Sequence, residues 1–288
     1  MSNVPRTAAA SSCLVLCIAG AWYLFAPCSV CLFMRVGMLQ QMTRTPPGHS
    51  EHGARNFSSN VTHFDSGAAG GTCDLCGGSQ KWLFIFATGR SGSSTILDMV
   101  DGVPFVYIAG ENKQFMTQVR EMYEMPERTY NMLQNHTMLC HVQGLLRDLL
   151  NFDNDAIFIT GFKEISHCNW EDLRFFQRAF PCAKYILNYR KDLEKQIRSG
   201  MYRGRDQDKM RDKIEDRTET LIRFADRHAD IVYHMPLEEF GLDLFNNLLR
   251  WMGVHDCNFT RMVHSNSHGT YTKSAPAVHM DGTCTYNV

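Results

Sequence analysis

Residues 81–95 read KWLFIFATGRSGSST, an apolar run followed by a turn dense in glycine and hydroxyls. Gly89 and Gly92 let the backbone approach an anion, the N–H groups that open the next helix point outward, and the helix dipole favours negative charge. Arg90, Ser91, Ser93, Ser94 and Thr95 add side-chain donors. That is phosphate-binding chemistry. A Walker A loop places Lys and then Ser or Thr directly after its last glycine, whereas Ser93 stands there in this chain. The loop is therefore a phosphate cradle of a non-Walker kind. Two further groups carry chemistry. Glu111 follows Gly110 just beyond a second apolar run, where a carboxylate can serve as general base; the alternative is that it only caps the helix starting near Lys113. Lys163 follows a third apolar run, where its charge can meet a transferring anion; the alternative is a surface lysine paired with Glu164.

These groups need a scaffold that brings them to one edge. Apolar runs at 82–87, 104–109, 156–162, 183–189 and 231–235 are too short for membrane helices and read as strands, the first of them buried on both faces. Helical spacing lies between them: after residue 96, over 115–150 with an interruption at Pro126, over 203–227, and from Pro236 through Trp251. Strands that alternate with helices predict an α/β fold, a P-loop-like parallel sheet flanked by helices on both faces. In such sheets ligands bind beyond the carboxyl ends of the strands, which is where Glu111 and Lys163 fall.

The loop GRSGSST after a hydrophobic strand resembles that of sulfotransferases, which binds the 5′-phosphosulfate of 3′-phosphoadenosine-5′-phosphosulfate (PAPS). The order of RSG, a helix, a proline before a strand and then Gly-Glu is similar to the tyrosylprotein sulfotransferases, with Glu111 one residue further on. Arg190 at a strand end with Ser199 about two helical turns later looks like the family's 3′-phosphate motif, Arg for a bidentate grip and Ser for a hydroxyl donor. Here Lys191-Asp192 replaces the usual Asn-Pro or Asp-Pro pair and Ser199 falls one place late, which leaves Arg198 to share the role. Gly269 to Lys273 resembles a late family loop over the cofactor, which points to Thr272 and Lys273.

The resemblance covers residues 81–273. It implies transfer of a sulfuryl group from PAPS, with Glu111 as base, Lys163 and Arg90 stabilising charge, and no metal. The expected acceptor is a glycan or glycoprotein hydroxyl, with protein tyrosine as the rival. A nucleotide kinase or NTPase is a different class, disfavoured by the missing Walker lysine, and a non-catalytic binding protein is a third.

The net charge of -1 gives no global reason to bind nucleic acid. Residues 7–34 contain no charged side chain, enough to span a bilayer as an uncleaved signal-anchor; a cleaved signal peptide is the alternative. The expected organisation is a short tail at 1–6, the anchor at 7–34, a stem at 35–80 and the catalytic domain at 81–288. The sequons at Asn56, Asn60, Asn135 and Asn258 fit a Golgi membrane enzyme facing the lumen, while Arg35, Arg44 and Arg55 after the anchor favour the opposite orientation. Seven of the eleven cysteines follow the anchor, an odd number that leaves at least one free or paired between chains. Cys73 and Cys76 form a CxxC read as a structural disulfide or idle thiols before half a zinc site.

Overall fold

Strand β1 (Lys81–Ala87) is buried along almost its whole length, as its apolar sequence requires. In this computed structural model, residues 73–286 are described apart from 79, 112–113, 131–135, 151–155, 166–167, 203 and 266–276. The side chains of 125–130, 136–137 and 201 also lie outside the description, as do the expected anchor and most of the stem. No described helix is long and apolar enough to cross a membrane.

After β1 come α1 (Ser93–Asp101), β2 (Val106–Ala109), α2 (Phe115–Tyr130), α3 (His136–Leu150), β3 (Ile159–Glu164), α4 (Trp170–Ala179) and β4 (Lys184–Tyr189). Then follow α5 (Leu193–Ile197), α6 (Gln207–Arg227), β5 (Val232–Pro236), α7 (Leu242–Met252), β6 (Val254–Arg261) and β7 (His279–Tyr286). The first five strands form one sheet in the order β2-β3-β1-β4-β5 with every pairing parallel. From β1 the chain steps outward to β2 and back to β3, then crosses β1 to build β4 and β5 on its far side. That reversal puts a crevice at the carboxyl end of β1.

The two faces of β1 explain why both are covered. Leu83 and Ile85 belong to a core with Ile96, Met99, Phe245, Leu248 and Leu249, so α1 and α7 cover one face. The alternate residues point the other way. Phe84 sits 5.1 Å from Phe162, 5.1 Å from Phe176 and 5.0 Å from Phe180 between ring centroids. Phe224 of α6 closes this aromatic layer against Tyr185 at 5.4 Å.

Several boundaries differ from expectation. β3 runs through Lys163 and Glu164, because both are buried and in register with Ile85 and Phe86. α2 continues past Pro126 to Tyr130. Pro236 ends β5, where an edge strand tolerates its missing N–H, and α7 begins only at Leu242 after a short 3-10 turn. The antiparallel pair β6 and β7 had no counterpart in the sequence reading. It is stapled by Cys257–Cys284 and packs Val254, Cys257 and Phe259 against the core of α7. Cys73 and Cys76 do not bond to each other: Cys73 joins Cys140, Cys76 joins Cys182, and Cys168 is the free thiol, buried, among the described residues.

Replacing Phe84 by Ala removes the ring at the centre of the aromatic layer and is expected to lower unfolding free energy by about 3–5 kcal/mol, read by chemical denaturation.

Candidate active site at the carboxyl edge of the sheet

The turn after β1 is shaped by two left-handed residues, Arg90 at φ 65° and Gly92 at φ 87°. Non-glycine residues rarely adopt that region, and such outliers cluster at ligand sites. Gly92 is needed for space as well, since a Cβ there would lie 2.7 Å from Leu237 Cδ1 and 3.0 Å from Phe240. α1 then starts at Ser93, and the turn with the helix start presents the N–H groups that an anion takes.

The turn is held from beneath by two fully buried amides. Asn188 of β4 donates from Nδ2 to the carbonyls of Ser91 (2.9 Å) and Met235 (2.7 Å). Gln196 of α5 donates from Nε2 to Thr88 Oγ1 (3.0 Å) and to the Gly89 carbonyl (2.6 Å). Ser91, expected to face the anion, instead has its hydroxyl 2.5 Å from Asn188 Oδ1 and 2.5 Å from the Thr88 carbonyl. It serves the shape of the loop. Neither Asn188 nor Gln196 was singled out from sequence, although an Asn inside the apolar run YILNY carries a signal: a buried amide must find partners.

Of the other loop residues, Ser93 and Thr95 are buried and Ser94 is half-buried in the first turn of α1. Thr95 Oγ1 also accepts the N–H of Ser265 at 3.3 Å, and the Ser265 hydroxyl bonds Asp98, so the segment after β6 is fastened to α1. Thr272 and Lys273 lie outside the described residues.

Arg190 leaves the tip of β4 two residues after Asn188, which pairs with Ala87 at the end of β1, so it flanks the loop. The turn beside it is fixed by Glu238, whose carboxylate accepts the N–H groups of Lys191 (2.9 Å) and Asp192 (3.0 Å). Burial works against the Glu238 carboxylate, but those N–H groups and the charge of Arg190 hold it below the usual range. Glu238 Oε1 stays 3.8 Å from Arg190 Nε, too long for a hydrogen bond. Ser199 follows the C-cap Arg198 of α5, and its N–H is bonded to the Gln196 carbonyl at 3.2 Å. Arg198, expected to share the role of Ser199, is 78% exposed and lies 3.9 Å from Glu194.

Four buried polar atoms around this edge have no hydrogen-bond partner among the described residues: Arg90 Nε, Arg190 Nε, Ser199 Oγ and Gln196 Oε1. Buried polar groups without partners are costly, and a bound anion would satisfy the first three, which are donors. The residues of this edge therefore fit an anionic group such as a phosphate.

On the other side of the loop, Lys163 Nζ is 3.1 Å from Glu111 Oε1. The lysine side chain is 5% exposed and the glutamate 38%. Lys163 does not pair with Glu164, which follows it in the strand, points to the opposite face and accepts the N–H of Ile165 at 2.9 Å. Because Lys163 is in register with Ile85, it shares the sheet face covered by α1. Glu111, Lys163, the loop and Arg190 thus stand at the tips of four adjacent strands, β2, β3, β1 and β4, each about 5 Å from the next. A half-exposed carboxylate beside a buried ammonium can take a proton from a ligand while positive charge stands next to the anion.

No family model and no curated protein matches this chain. Among solved structures, it is similar to a sulfotransferase domain from the curacin biosynthetic pathway at 12% identity and TM-score 0.44, covering 60% of this chain and 73% of that one. A sulfotransferase from Alicyclobacillus acidocaldarius gives 11% identity and TM-score 0.39, with 60% and 80% covered. The sulfotransferase domain of the Synechococcus PCC 7002 olefin synthase gives 16% identity and TM-score 0.42, with 64% and 76% covered. These likenesses are too distant to carry the site, which stands on its own geometry.

Asn188→Ala strands the Ser91 hydroxyl and two carbonyls in a dry interior. It is expected to cost about 2–3 kcal/mol of stability, measured by urea unfolding, and to weaken binding of phosphate-bearing nucleotides by titration calorimetry.

Proposed function

We propose that the protein is a PAPS-dependent sulfotransferase that acts on a hydroxyl of a glycan acceptor. The observation that carries this reading is the Glu111–Lys163 pair on the strands next to a phosphate loop that lacks the Walker lysine. The unpartnered atoms of Arg90, Arg190 and Ser199 support a donor with separate 5′ and 3′ phosphate groups. When bound, PAPS supplies a sulfuryl group already activated by its bond to a phosphate.

In this scheme Glu111 accepts the proton of the acceptor hydroxyl, and the freed oxygen forms the new bond to sulfur as the bond from sulfur to the phosphate oxygen breaks. Lys163 and Arg90 place fixed positive charge beside the oxygens on which negative charge grows, and need no rearrangement of water to do so. The loop N–H groups, Ser93, Ser94 and Thr95 would orient the 5′ group, and Arg190 with Ser199 the 3′-phosphate. Positioning and electrostatics dominate in the related transfer of phosphoryl groups.

The compartment we propose is the Golgi lumen, with the catalytic domain tethered to the membrane by residues 7–34. Three disulfides among the described residues support an oxidising environment, and the Asn258 sequon lies on an exposed position of β6.

Labelled sulfate offered as PAPS to a panel of glycans and tyrosine peptides tests the proposal: transfer to glycans is expected, and transfer to peptides alone would move the acceptor class. Consumption of ATP with magnesium while PAPS is ignored would overturn the sulfotransferase reading. Glu111→Ala is expected to lower turnover by at least about a hundredfold with nucleotide affinity retained, and Arg190→Ala to weaken adenosine 3′,5′-bisphosphate while barely changing adenosine 5′-phosphate. Made in a secretory cell, the protein is expected to lose one glycan in the Asn258→Gln variant, seen as a mobility shift; an unmodified Asn258 would count against lumenal placement.

A further inference from the structure

We propose that Asp172 is a positioning residue that sets the spacing of Glu111 and Lys163 through Thr117 and Arg120; this rests on the reading of Glu111 as the base. Glu111 follows β2 and leads into α2, while Lys163 lies in β3, which leads into α4. The Glu111–Lys163 contact joins these two strand-to-helix units at the reacting groups. Asp172 joins them a second time, behind that contact.

Asp172 is 1% exposed and sits in the first turn of α4, where its N–H is fixed by the side chain of the capping residue Asn169 at 2.8 Å. Its two carboxylate oxygens reach the opening turns of α2 separately. Oδ2 accepts the Thr117 hydroxyl at 3.1 Å, and Oδ1 accepts Arg120 Nε at 2.8 Å. Thr117 and Arg120 are three residues apart and so lie on one face of α2. Arg120 is oriented in turn by Glu124 at 3.0 Å. Burial alone would lower the Arg120 pKa, but the hydrogen bond and charge of Asp172, followed by Glu124 and Glu121, raise it above the ordinary value.

A buried carboxylate with both oxygens engaged tolerates little displacement, since losing a partner leaves charge uncompensated in a medium of low polarity. Any slide of α2 against α4 would break one of the two bonds. The same slide would change the separation of Glu111 and Lys163, because only five residues lie between Glu111 and Thr117 and eight between Lys163 and Asp172. The Asp172 carboxylate is engaged by Thr117 and Arg120, so it acts on the chemistry through geometry alone.

Thr117→Val removes one of the two bonds at nearly constant shape, and Thr117→Ser keeps it. With PAPS and an accepted glycan, Thr117→Val is expected to lower kcat about tenfold, as small misplacements of reacting groups do, with adenosine 3′,5′-bisphosphate affinity within about twofold of wild type; Thr117→Ser should restore kcat. In a Glu111→Gln background Thr117→Val should cost nothing further, because the group it positions is gone. An unchanged kcat, or the same loss in both backgrounds, overturns the proposal. If wild type transfers nothing from PAPS, the reading of Glu111 as base fails, and crystal structures still decide the clamp. A Glu111–Lys163 distance that lengthens in Thr117→Val and Asp172→Asn supports it, and one that remains at 3.1 Å in both refutes it. Should Asp172→Asn fail to fold, the Thr117 pair alone carries the test.

Discussion

The candidate site depends on one buried amide. Where β1 ends, its backbone leaves the sheet and loses the partners that a ladder supplies, yet the turn that follows is still enclosed. Its polar groups must be satisfied from within. Asn188 does this from the neighbouring strand, tying the turn to β4 and, through the Met235 carbonyl, to β5. Gln196 completes the support from α5. The shape of the loop is thereby set by contacts within the chain, which reduces what an anion's binding would have to order.

That arrangement follows from how the sheet is covered. With Leu83 and Ile85 packed on one side and Phe84 and Phe86 on the other, neither face of β1 has room for polar chemistry. The charged groups collect at the strand tips, the one part of the sheet that helices leave open. Lys163 is the exception that shows the rule. Though it lies within β3 and is buried, its amine reaches out to Glu111 at the edge.

The sheet was legible because its strands are short apolar runs separated by helical spacing, and all five proposed runs became parallel strands. For the candidate site, the sequence made placement legible where residue type and position in the fold coincide: the turn after β1, Glu111, Lys163 and Arg190 do fall along one edge of the sheet. Elsewhere local pattern misleads. Ser91 reads as a ligand group because hydroxyl-rich turns usually present their hydroxyls, and only the approach of Asn188, 97 residues away, turns it inward. β6 and β7 escaped notice because a hairpin with one exposed face and a disulfide core needs few apolar residues. Asp172 was invisible for a related reason: an acid in a first helical turn normally faces water, and its burial depends on Arg120 arriving from another helix.

The segment that enters the first strand is bound covalently at two points, Cys73 to Cys140 and Cys76 to Cys182. Cys182 stands just before β4, at the amino end of the sheet and thus at the pole opposite the loop. Tension pulled through the chain that precedes residue 73 would pass into α3 and the foot of β4 rather than along β1. Load on that segment would thus be shared among several elements instead of falling on the one strand that carries the loop.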